Sequence, residues 1–255
     1  MSESFALGVD VGGTKVAAGL VNASGAIVKR ARVPMIATGD ADKGLAAVLA
    51  AVGELIPGCG GSVRGIGICS PGPLNPRTGV IINPPNVPCW RNFPLAERVR
   101  GVYNLPVKVD NDANAAGLAE VLWGAARGYR NVFYATVGTG IGSGIILDGK
   151  ILHGRTGAAG EAGHMGIDID GPRCPCGKKG CVEVLASGPA IGRRARKKLA
   201  ANNRSIMLEL AGGDPQVVNG EIVSRAAQQG DAIAREVIGE TLDILAYWLG
   251  NVIDY

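Results

Sequence analysis

The chain has 255 residues, of which 47% are hydrophobic, 19% charged and 4% aromatic. This composition excludes a disordered chain and gives enough apolar surface for two domains. The formal net charge of +4 gives no case for a nucleic-acid surface, and no apolar run reaches the ~20 residues of a membrane span. Cys59, Cys69 and Cys89 are scattered singly, and no secretory leader pattern precedes the first strand. We therefore expect a cytoplasmic protein without nucleic-acid or membrane partners.

The N-terminal segment has the pattern of a hairpin with a glycine turn. Phe5–Val11 is an apolar strand, Gly12-Gly-Thr-Lys15 is a turn, and the strand resumes at Val16. Such turns expose backbone N–H groups that bind anions, and Asp10 at the mouth of the hairpin would hold Mg²⁺ through water. The alternative is an ordinary Gly-Gly hairpin turn beside a buried Asp.

Several further elements precede the middle of the chain. A long loop rich in Pro and Asn, Asn75–Trp90, has the length and composition of functional loops in compact domains. The pattern predicts strands and helices around it at Ala26–Val33 (strand), Leu45–Ile56 (helix), Arg64–Ser70 (strand) and Leu95–Arg100 (helix).

A strand that ends in polar residues follows. Pro106–Asp110 runs into Asn111-Asp-Ala-Asn114, and Ala115–Trp123 is predicted to be helical. Asp112 would lie at a strand end and near a helix N-terminus, which favours an ionised carboxylate such as a general base requires. One of these polar residues is expected to cap the helix, but capping does not need all of them.

A second strand–glycine turn–strand follows at Asn131–Val137, Gly138–Gly144 and Ile145–Leu147. The glycines alternate and a strand follows them, so the segment is not a dinucleotide-binding fingerprint. The repetition of the first hairpin predicts two domains of similar topology, residues 1–115 and 116–255.

The segment Gly154–Glu183 contains Cys174, Cys176 and Cys181 among Pro, Gly and Lys. With His164 they make a Cys₃His set, which matches a closed tetrahedral zinc site. Buried cysteines or a disulfide are the alternatives. His153 lies in an apolar run, and we interpret it as structural. The last part of the chain is predicted to be helical at Gly188–Ala201, Asn219–Gln229 and Asp231–Leu249, with the basic run at 193–198 on a solvated face.

Taken together, these motifs resemble those of the ROK family of actin-like sugar kinases, near its glucokinases. The ordered matches are Asp10–Lys15, Pro84-Pro-Asn86, Asp110–Asn114, Thr136–Gly144, Glu161-Ala-Gly-His164 and the cysteine loop with Glu183. The resemblance implies an α/β fold of two actin-like (ribonuclease H-like) lobes with a cleft between them. It also implies a further strand, an adenine-contacting segment and a helix beyond Leu249, so the C-terminal part of the second lobe is expected to be missing.

The resemblance further implies ATP, Mg²⁺ and a structural Zn²⁺ as cofactors, and a homodimer or homotetramer. Its phosphate-binding positions are Asp10, Gly12, Gly13, Thr14, Lys15, Gly138, Thr139 and Gly140. Its sugar-binding positions are Asn86, Asn111, Asp112, Glu161, His164 and Glu183, with Asp112 as the general base.

The implied activity is ATP-dependent phosphorylation of a hexose, with glucose first. N-acetylmannosamine, N-acetylglucosamine, mannose and fructose stay open, because few loop residues decide the choice. A sugar-responsive ROK repressor and a sugar-binding or assembly protein without catalysis are the rival functions. A repressor is disfavoured, since the first hairpin begins by Leu7 and leaves no room for a helix-turn-helix domain.

Overall fold

The computed structural model describes residues 3–57, 60–202 and 204–253, so Cys59 lies outside the described residues. Within those ranges the protein is a mixed α/β structure. Its strands are β1 (Ser4–Val11), β2 (Lys15–Asn22), β3 (Ile27–Pro34), β4 (Ser62–Ser70), β5 (Leu74–Asn75), β6 (Val80–Ile81), β7 (Val107–Asn111), β8 (Val132–Val137), β9 (Ile141–Leu147) and β10 (Lys150–Ile151). Its α-helices are α1 (Ala41–Gly53), α2 (Leu95–Tyr103), α3 (Asp112–Trp123), α4 (Val182–Ala186), α5 (Gly188–Ala201), α6 (Ile206–Leu210), α7 (Gly220–Gln228) and α8 (Ala232–Ile253). None of these helices is long and apolar enough to cross a membrane.

The chain divides into two compact units. Unit 1 comprises Met1–Tyr134 and Gly144–Gly160, and unit 2 comprises Ala135–Ser143 and Glu161–Tyr255. Unit 1 is built on a five-stranded sheet of order β3-β2-β1-β4-β7, and β8, β9 and β10 form a separate three-stranded sheet.

Strand β1 of the unit 1 sheet alternates between buried apolar residues and exposed residues. Phe5, Leu7, Val9 and Val11 are buried, and the residues between them are exposed. Strand β1 pairs in antiparallel fashion with β2 and in parallel fashion with β4, and β4 is parallel to β7. The carboxyl ends of β1, β4 and β7 therefore meet at one edge of the sheet.

The long loop predicted at 75–90 is anchored by its own apolar residues. Val87 and Trp90 are fully buried, the Trp90 ring stacks on Phe93 with centroids 5.3 Å apart, and Trp90 Nε1 donates to the carbonyl of Ala41 at 3.1 Å. The short hairpin of β5 and β6 lies within the loop's first half, which sequence periodicity did not predict. Loop residues between these anchors are thus held in fixed positions.

Two helices begin earlier than the periodic pattern predicted. Helix α1 starts at Ala41 rather than Leu45, because the Asp40 side chain caps it by accepting from the amide of Asp42. Helix α3 starts at Asp112 rather than Ala115, because Asn111 is its N-cap. Both shifts follow from cap residues that lie outside the apolar stripe.

Unit 2 contains a helical core formed by α5 to α8. The basic run on α5 is only partly solvated, which corrects the sequence-based interpretation. Arg194 donates to Leu185 O at 2.5 Å and to Thr241 Oγ1 at 2.7 Å, and Lys198 lies 2.7 Å from both Glu236 and Glu240. Arg193 and Lys197 remain exposed. Arg193 nevertheless donates to Val184 O at 2.7 Å and Arg196 to Val218 O at 2.5 Å, so four of the five basic residues bond to other parts of unit 2.

Candidate active site and metal centre

In unit 1, Asp10, Cys69 and Asp110 occupy matching positions on three parallel strands. Asp10 of β1 pairs in register with Cys69 of β4, which pairs with Asp110 of β7. Because these positions lie at the carboxyl ends of the strands, polar groups from all three strands collect at one edge. Asp10 is exposed there, so the buried-Asp alternative is wrong.

The turn after β1 is a tight hairpin. Gly12 donates to the carbonyl of Lys15 at 2.9 Å, and the carbonyl of Thr14 accepts from Met35 at 3.0 Å. A methyl group on Gly13 would lie 2.7 Å from the backbone oxygen of Asn86, closer than a Cβ approaches in real structures. The predicted phosphate turn and the predicted sugar residue Asn86 are thus in direct contact in unit 1.

The turn between β7 and α3 presents Asp112. Asn111 Oδ1 accepts from the amides of Ala113 at 2.8 Å and Asn114 at 3.3 Å, which confirms that one polar residue caps the helix. Asp112 Oδ1 accepts from the amide of Ala113 at 2.9 Å and the side chain keeps an exposed face. The Oδ1 of Asn111 is therefore used in capping, whereas the side chain of Asp112 is accessible from solvent.

The pKa of Asp112 lies above the ordinary value for aspartate. Protein packed around the carboxyl raises this pKa, the amide of Ala113 opposes the shift, and the charge of Asp10 raises it again. Asp10 and Asp112 are therefore close enough to interact electrostatically.

Sequence reasoning did not single out Cys69 as a site residue. Its Sγ lies 3.5 Å from the carbonyl of Val9 and 3.7 Å from Asp10 Oδ1. Burial raises the pKa of this thiol to about 12, and the charges of Asp10 and Asp112 add to the shift. Cys69 is thus an uncharged group at the carboxylate edge, where neither a third negative charge nor a nucleophile arises.

In unit 2, the second glycine turn is shorter than the sequence predicted. The turn takes only Gly138–Gly140, and strand β9 begins at Ile141 instead of Ile145. Gly138 N donates to Gly140 O at 2.9 Å, and Gly188 N donates to Gly138 O at 2.8 Å. The later glycines sit in the strand, where Gly144 allows the backbone of α3 to approach closely.

Glu183 contacts this same turn. Its Oε2 accepts from the amide of Ile141 at 3.0 Å, and a methyl group on Gly140 would lie 2.5 Å from that oxygen. The predicted sugar ligand Glu183 therefore lies beside the predicted phosphate positions Gly138, Thr139 and Gly140. The Oε2 oxygen of Glu183 is thus held in place by the Ile141 amide.

Glu161 and His164 flank a turn of 3-10 helix, Ala162–His164. Ala162 N donates to Ser143 Oγ at 3.1 Å, and a side chain on Gly163 would collide with the carbonyl of Ile141. The turn is therefore packed directly on the start of β9, and the Glu161 side chain is left exposed.

The cysteine loop brings its four predicted ligands together. The side-chain ligand atoms of His164, Cys174, Cys176 and Cys181 all lie within 4.8 Å of one another. Cys174 Sγ is 3.5 Å from His164 Nδ1, and Cys176 Sγ is 3.6 Å from Cys181 Sγ. Tetrahedral zinc with ~2.3 Å Zn–S bonds would hold its sulfurs about 3.8 Å apart. The donor set and these spacings fit such an ion. Cys174, Cys176 and Cys181 are free thiols and form no disulfide with one another.

The protein environment does not by itself favour three thiolates. Burial raises the pKa of Cys174 and raises that of Cys181 to about 12, whereas the amide of Lys178 lowers the pKa of Cys176. A divalent cation compensates such a cost, because its charge deprotonates a coordinating thiol. His164 directs Nδ1 to the cluster, which leaves Nε2 available to a sugar.

The predicted site residues thus form one set in each unit. Unit 1 holds Asp10, Gly12, Gly13, Thr14, Lys15, Asn86, Asn111 and Asp112. Unit 2 holds Gly138, Thr139, Gly140, Glu161, His164, Cys174, Cys176, Cys181 and Glu183.

Comparison with known proteins decides the family. The family model described as "ROK family" matches residues 6–255. This chain belongs to the ROK family. It is 38% identical over 248 residues to a glucokinase of Streptomyces coelicolor, across 96% of this chain and 75% of that protein. It is also 38% identical over 189 residues to an N-acetylmannosamine kinase of Vibrio cholerae, across 74% of this chain and 64% of that protein.

Solved ROK structures show the fold. The Streptomyces griseus ROK glucokinase, in complex with glucose and AMPPNP, superposes with a TM-score of 0.81 at 36% identity, covering 98% of this chain and 79% of that one. A ROK transcriptional regulator, a homologue of the Escherichia coli MLC protein, superposes with a TM-score of 0.87 at 30% identity, covering 98% of this chain and 62% of that one. The ROK protein therefore has the α/β, actin-like fold of the glucokinases in this family, and its chain spans about three quarters of the glucokinases it matches.

Proposed function

We propose that this ROK protein transfers the γ-phosphate of ATP to glucose, giving glucose 6-phosphate, with Asp112 as the general base. The observation that supports the proposal is that Asp10 at the end of β1 and Asp112 at the start of α3 interact electrostatically, and that packing and the Asp10 charge raise the pKa of Asp112. A base is most effective when its pKa approaches the working pH. The similarity to ROK glucokinases supplies the substrate class.

The proposed mechanism depends on positioning and charge neutralisation, because phosphoryl transfer needs little covalent help. Asp112 orients the attacking hydroxyl and accepts its proton. In each of the turns Gly12–Lys15 and Gly138–Gly140, the backbone N–H groups that are not used within the turn itself would bind phosphate oxygens. Asp10 would hold Mg²⁺, which neutralises phosphate charge when bound.

The sugar would be held by residues with fixed hydrogen-bonding geometry. These are Asn86, Asn111, Glu161, His164 and Glu183, which offer both donors and acceptors. The Cys₃His cluster would hold a structural Zn²⁺ that keeps His164 and the following loop in place. The segment Pro71–Asn75 is proposed to influence what fits near C2 of the sugar, and hence the choice between glucose and an N-acetylated hexose.

Other properties stay predictions. We predict a division into lobes 1–115 and 116–255, assembly as a homodimer or homotetramer, and a cytoplasmic location. The last is supported by free thiols at Cys69, Cys89, Cys174, Cys176 and Cys181 within the described chain. The alternatives are a kinase for N-acetylmannosamine, N-acetylglucosamine or fructose, and a non-catalytic sugar-responsive regulator, since relatives of both kinds match this chain.

A coupled assay of ADP release with a panel of sugars tests the proposal. Glucose-dependent ADP release above the sugar-free rate is expected, and a larger kcat/KM for N-acetylmannosamine would reassign the substrate. Glucose binding by calorimetry without any sugar-dependent ADP release would overturn the kinase and favour the regulator.

A further inference from the structure

The carboxylate of Asp110 collects hydrogen bonds from three directions. Its Oδ1 accepts from the amide of Asn111 at 2.8 Å and from Asn114 Nδ2 at 3.0 Å, and its Oδ2 lies 2.7 Å from His153 Nε2. The side chains of Asp110 and His153 are only 23% and 30% exposed. Because a carboxylate is an acceptor, Nε2 of His153 carries the proton in this contact. Charge-assisted hydrogen bonds of this kind are stronger than neutral ones.

Two of these donors belong to the turn that presents Asp112. Asn111 is the N-cap of α3, and Asn114 in the first turn of that helix reaches back to Asp110. The arrangement resembles a capping box, in which the strand end and the first helical turn hold each other reciprocally. Asp112, the first residue of α3, therefore projects from a turn whose geometry depends on the Asp110 carboxylate.

The third donor reaches Asp110 from 43 residues further along the chain. His153 is itself braced, since its carbonyl accepts from the amide of Ala159 at 3.3 Å. Gly157 lies between them with φ near +89°, packed so closely on Pro76 that a methyl group would lie 2.8 Å from the Pro76 ring. The 153–159 segment is thus folded against unit 1, which gives the imidazole a fixed base.

We propose that His153 is a positioning residue for phosphoryl transfer: its Nε2–H holds the Asp110 carboxylate, and Asp110 fixes the β7–α3 turn that aims Asp112 at the sugar hydroxyl. This inference rests on the proposed function. His153 does not touch the reacting atoms. Misplacing a catalytic group by about 1 Å costs on the order of 100-fold in rate, so loss of one of three anchors is expected to lower kcat about tenfold.

The experiment compares His153→Ala, His153→Gln and the control Arg155→Ala in the full chain. Arg155 is exposed in the same segment, and Gln retains an N–H donor. We expect His153→Ala to lower kcat about tenfold with little change in the KM for ATP. His153→Gln should recover most of the lost rate, and Arg155→Ala should keep the rate of the unmodified protein. A kcat within twofold in His153→Ala, or an equal loss in the Gln and Ala variants, would overturn the proposal.

A second measurement does not need turnover. Amide hydrogen exchange at Ala113 and Asn114, followed by NMR, should accelerate several-fold in His153→Ala and not in Arg155→Ala. If the unmodified protein released no ADP with any sugar, the proposed function would fail. The exchange rates would still show whether the His153–Asp110 contact holds the β7–α3 turn. Unchanged exchange at both amides would show that the His153–Asp110 contact does not fix the β7–α3 turn, and would overturn the inference.

Discussion

Gly13 lies directly against the backbone carbonyl of Asn86, so that a methyl group on Gly13 would come within 2.7 Å of that oxygen. Both residues belong to unit 1, and the loop of Asn86 is held by the fully buried Val87 and Trp90. The loop cannot retreat without moving its anchors. The contact therefore mechanically links the proposed phosphate turn to a proposed sugar ligand.

Gly13→Ala is expected to weaken glucose binding even when no nucleotide is present. The methyl group would displace the Asn86 backbone and misplace its side chain, and loss of a hydrogen bond worth about 1.4 kcal/mol raises the glucose Kd about tenfold. Calorimetry without nucleotide measures this. Gly8→Ala is the matched control, since a methyl group there meets nothing within 4 Å. Equal glucose affinity in the two variants would contradict the link.

Asp112→Asn is expected to abolish turnover while glucose binding persists. The amide keeps the shape of the side chain but cannot accept the hydroxyl proton, and a general base contributes on the order of 10²–10⁴ in rate. ADP release and glucose calorimetry check the two halves. Asp148→Asn, which alters an exposed carboxylate beside Arg130, should leave turnover unchanged. Retained turnover in Asp112→Asn would remove its role as base.

The same substitution should not lower thermal stability near neutral pH. The folded protein raises the pKa of Asp112, so it binds that proton more tightly than the unfolded chain does. The stability contributed by the protonated form is therefore lost as pH rises through the folded-state pKa. An Asn at this position avoids that loss. A thermal midpoint of Asp112→Asn clearly below that of the unmodified protein at pH 7 would contradict this prediction.

The pH dependence of kcat/KM should show an acid limb above the ordinary aspartate pKa. Activity falls as pH drops through the raised pKa of Asp112, because the base becomes protonated. The Asp10 charge contributes to that shift, so Asp10→Asn should move the limb to lower pH even though its rate is reduced. The control is Asp42→Asn, a carboxylate paired with Arg98. An acid limb at the same pH in Asp10→Asn would disprove the coupling.

Cys176→Ser should release the metal and weaken sugar binding. The substitution would remove one of the four proposed zinc ligands, and His164 would lose the ion that is proposed to hold its ring in place. Metal analysis should find one zinc per chain in the unmodified protein and much less in the variant, with a higher glucose Kd. Cys89→Ser, which changes a thiol outside the cluster, should retain zinc. Absence of zinc from the intact protein would defeat this prediction.

Local patterns in the sequence predicted the parts of the site that depend on nearby residues. The turn at Gly12–Lys15 follows from glycines between apolar runs. The cap at Asn111 follows from polar residues before a helix. Gathering of His164 with the three sulfurs follows from breakers that exclude a helix between them. The two turn features are decided by residues a few positions apart, and the cluster is decided by residues of one loop, with His164 ten residues before Cys174.

Features that depend on strand register could not be predicted in this way. Cys69 is near Asp10 only because β4 pairs with β1 at that position. His153 reaches Asp110 across 43 residues, and nothing in the apolar run around it indicates a partner. The basic run on α5 likewise gave no sign that Arg194 would bond to Thr241 and Leu185. The composition and hydrophobic periodicity of a segment indicate which face of a helix or strand is buried. They do not indicate which other element packs against that face.

The close contact of Gly163 with the carbonyl of Ile141 limits which positions near the site can be changed. A side chain at position 163 would collide with that carbonyl, so we expect the turn that carries Glu161 and His164 to accept only glycine there. Substitutions that change the sugar preference are then expected at positions with an accessible side chain, such as the exposed Pro73 in the Pro71–Asn75 segment. An engineer who seeks a different hexose would leave the 161–164 turn untouched and build the library there.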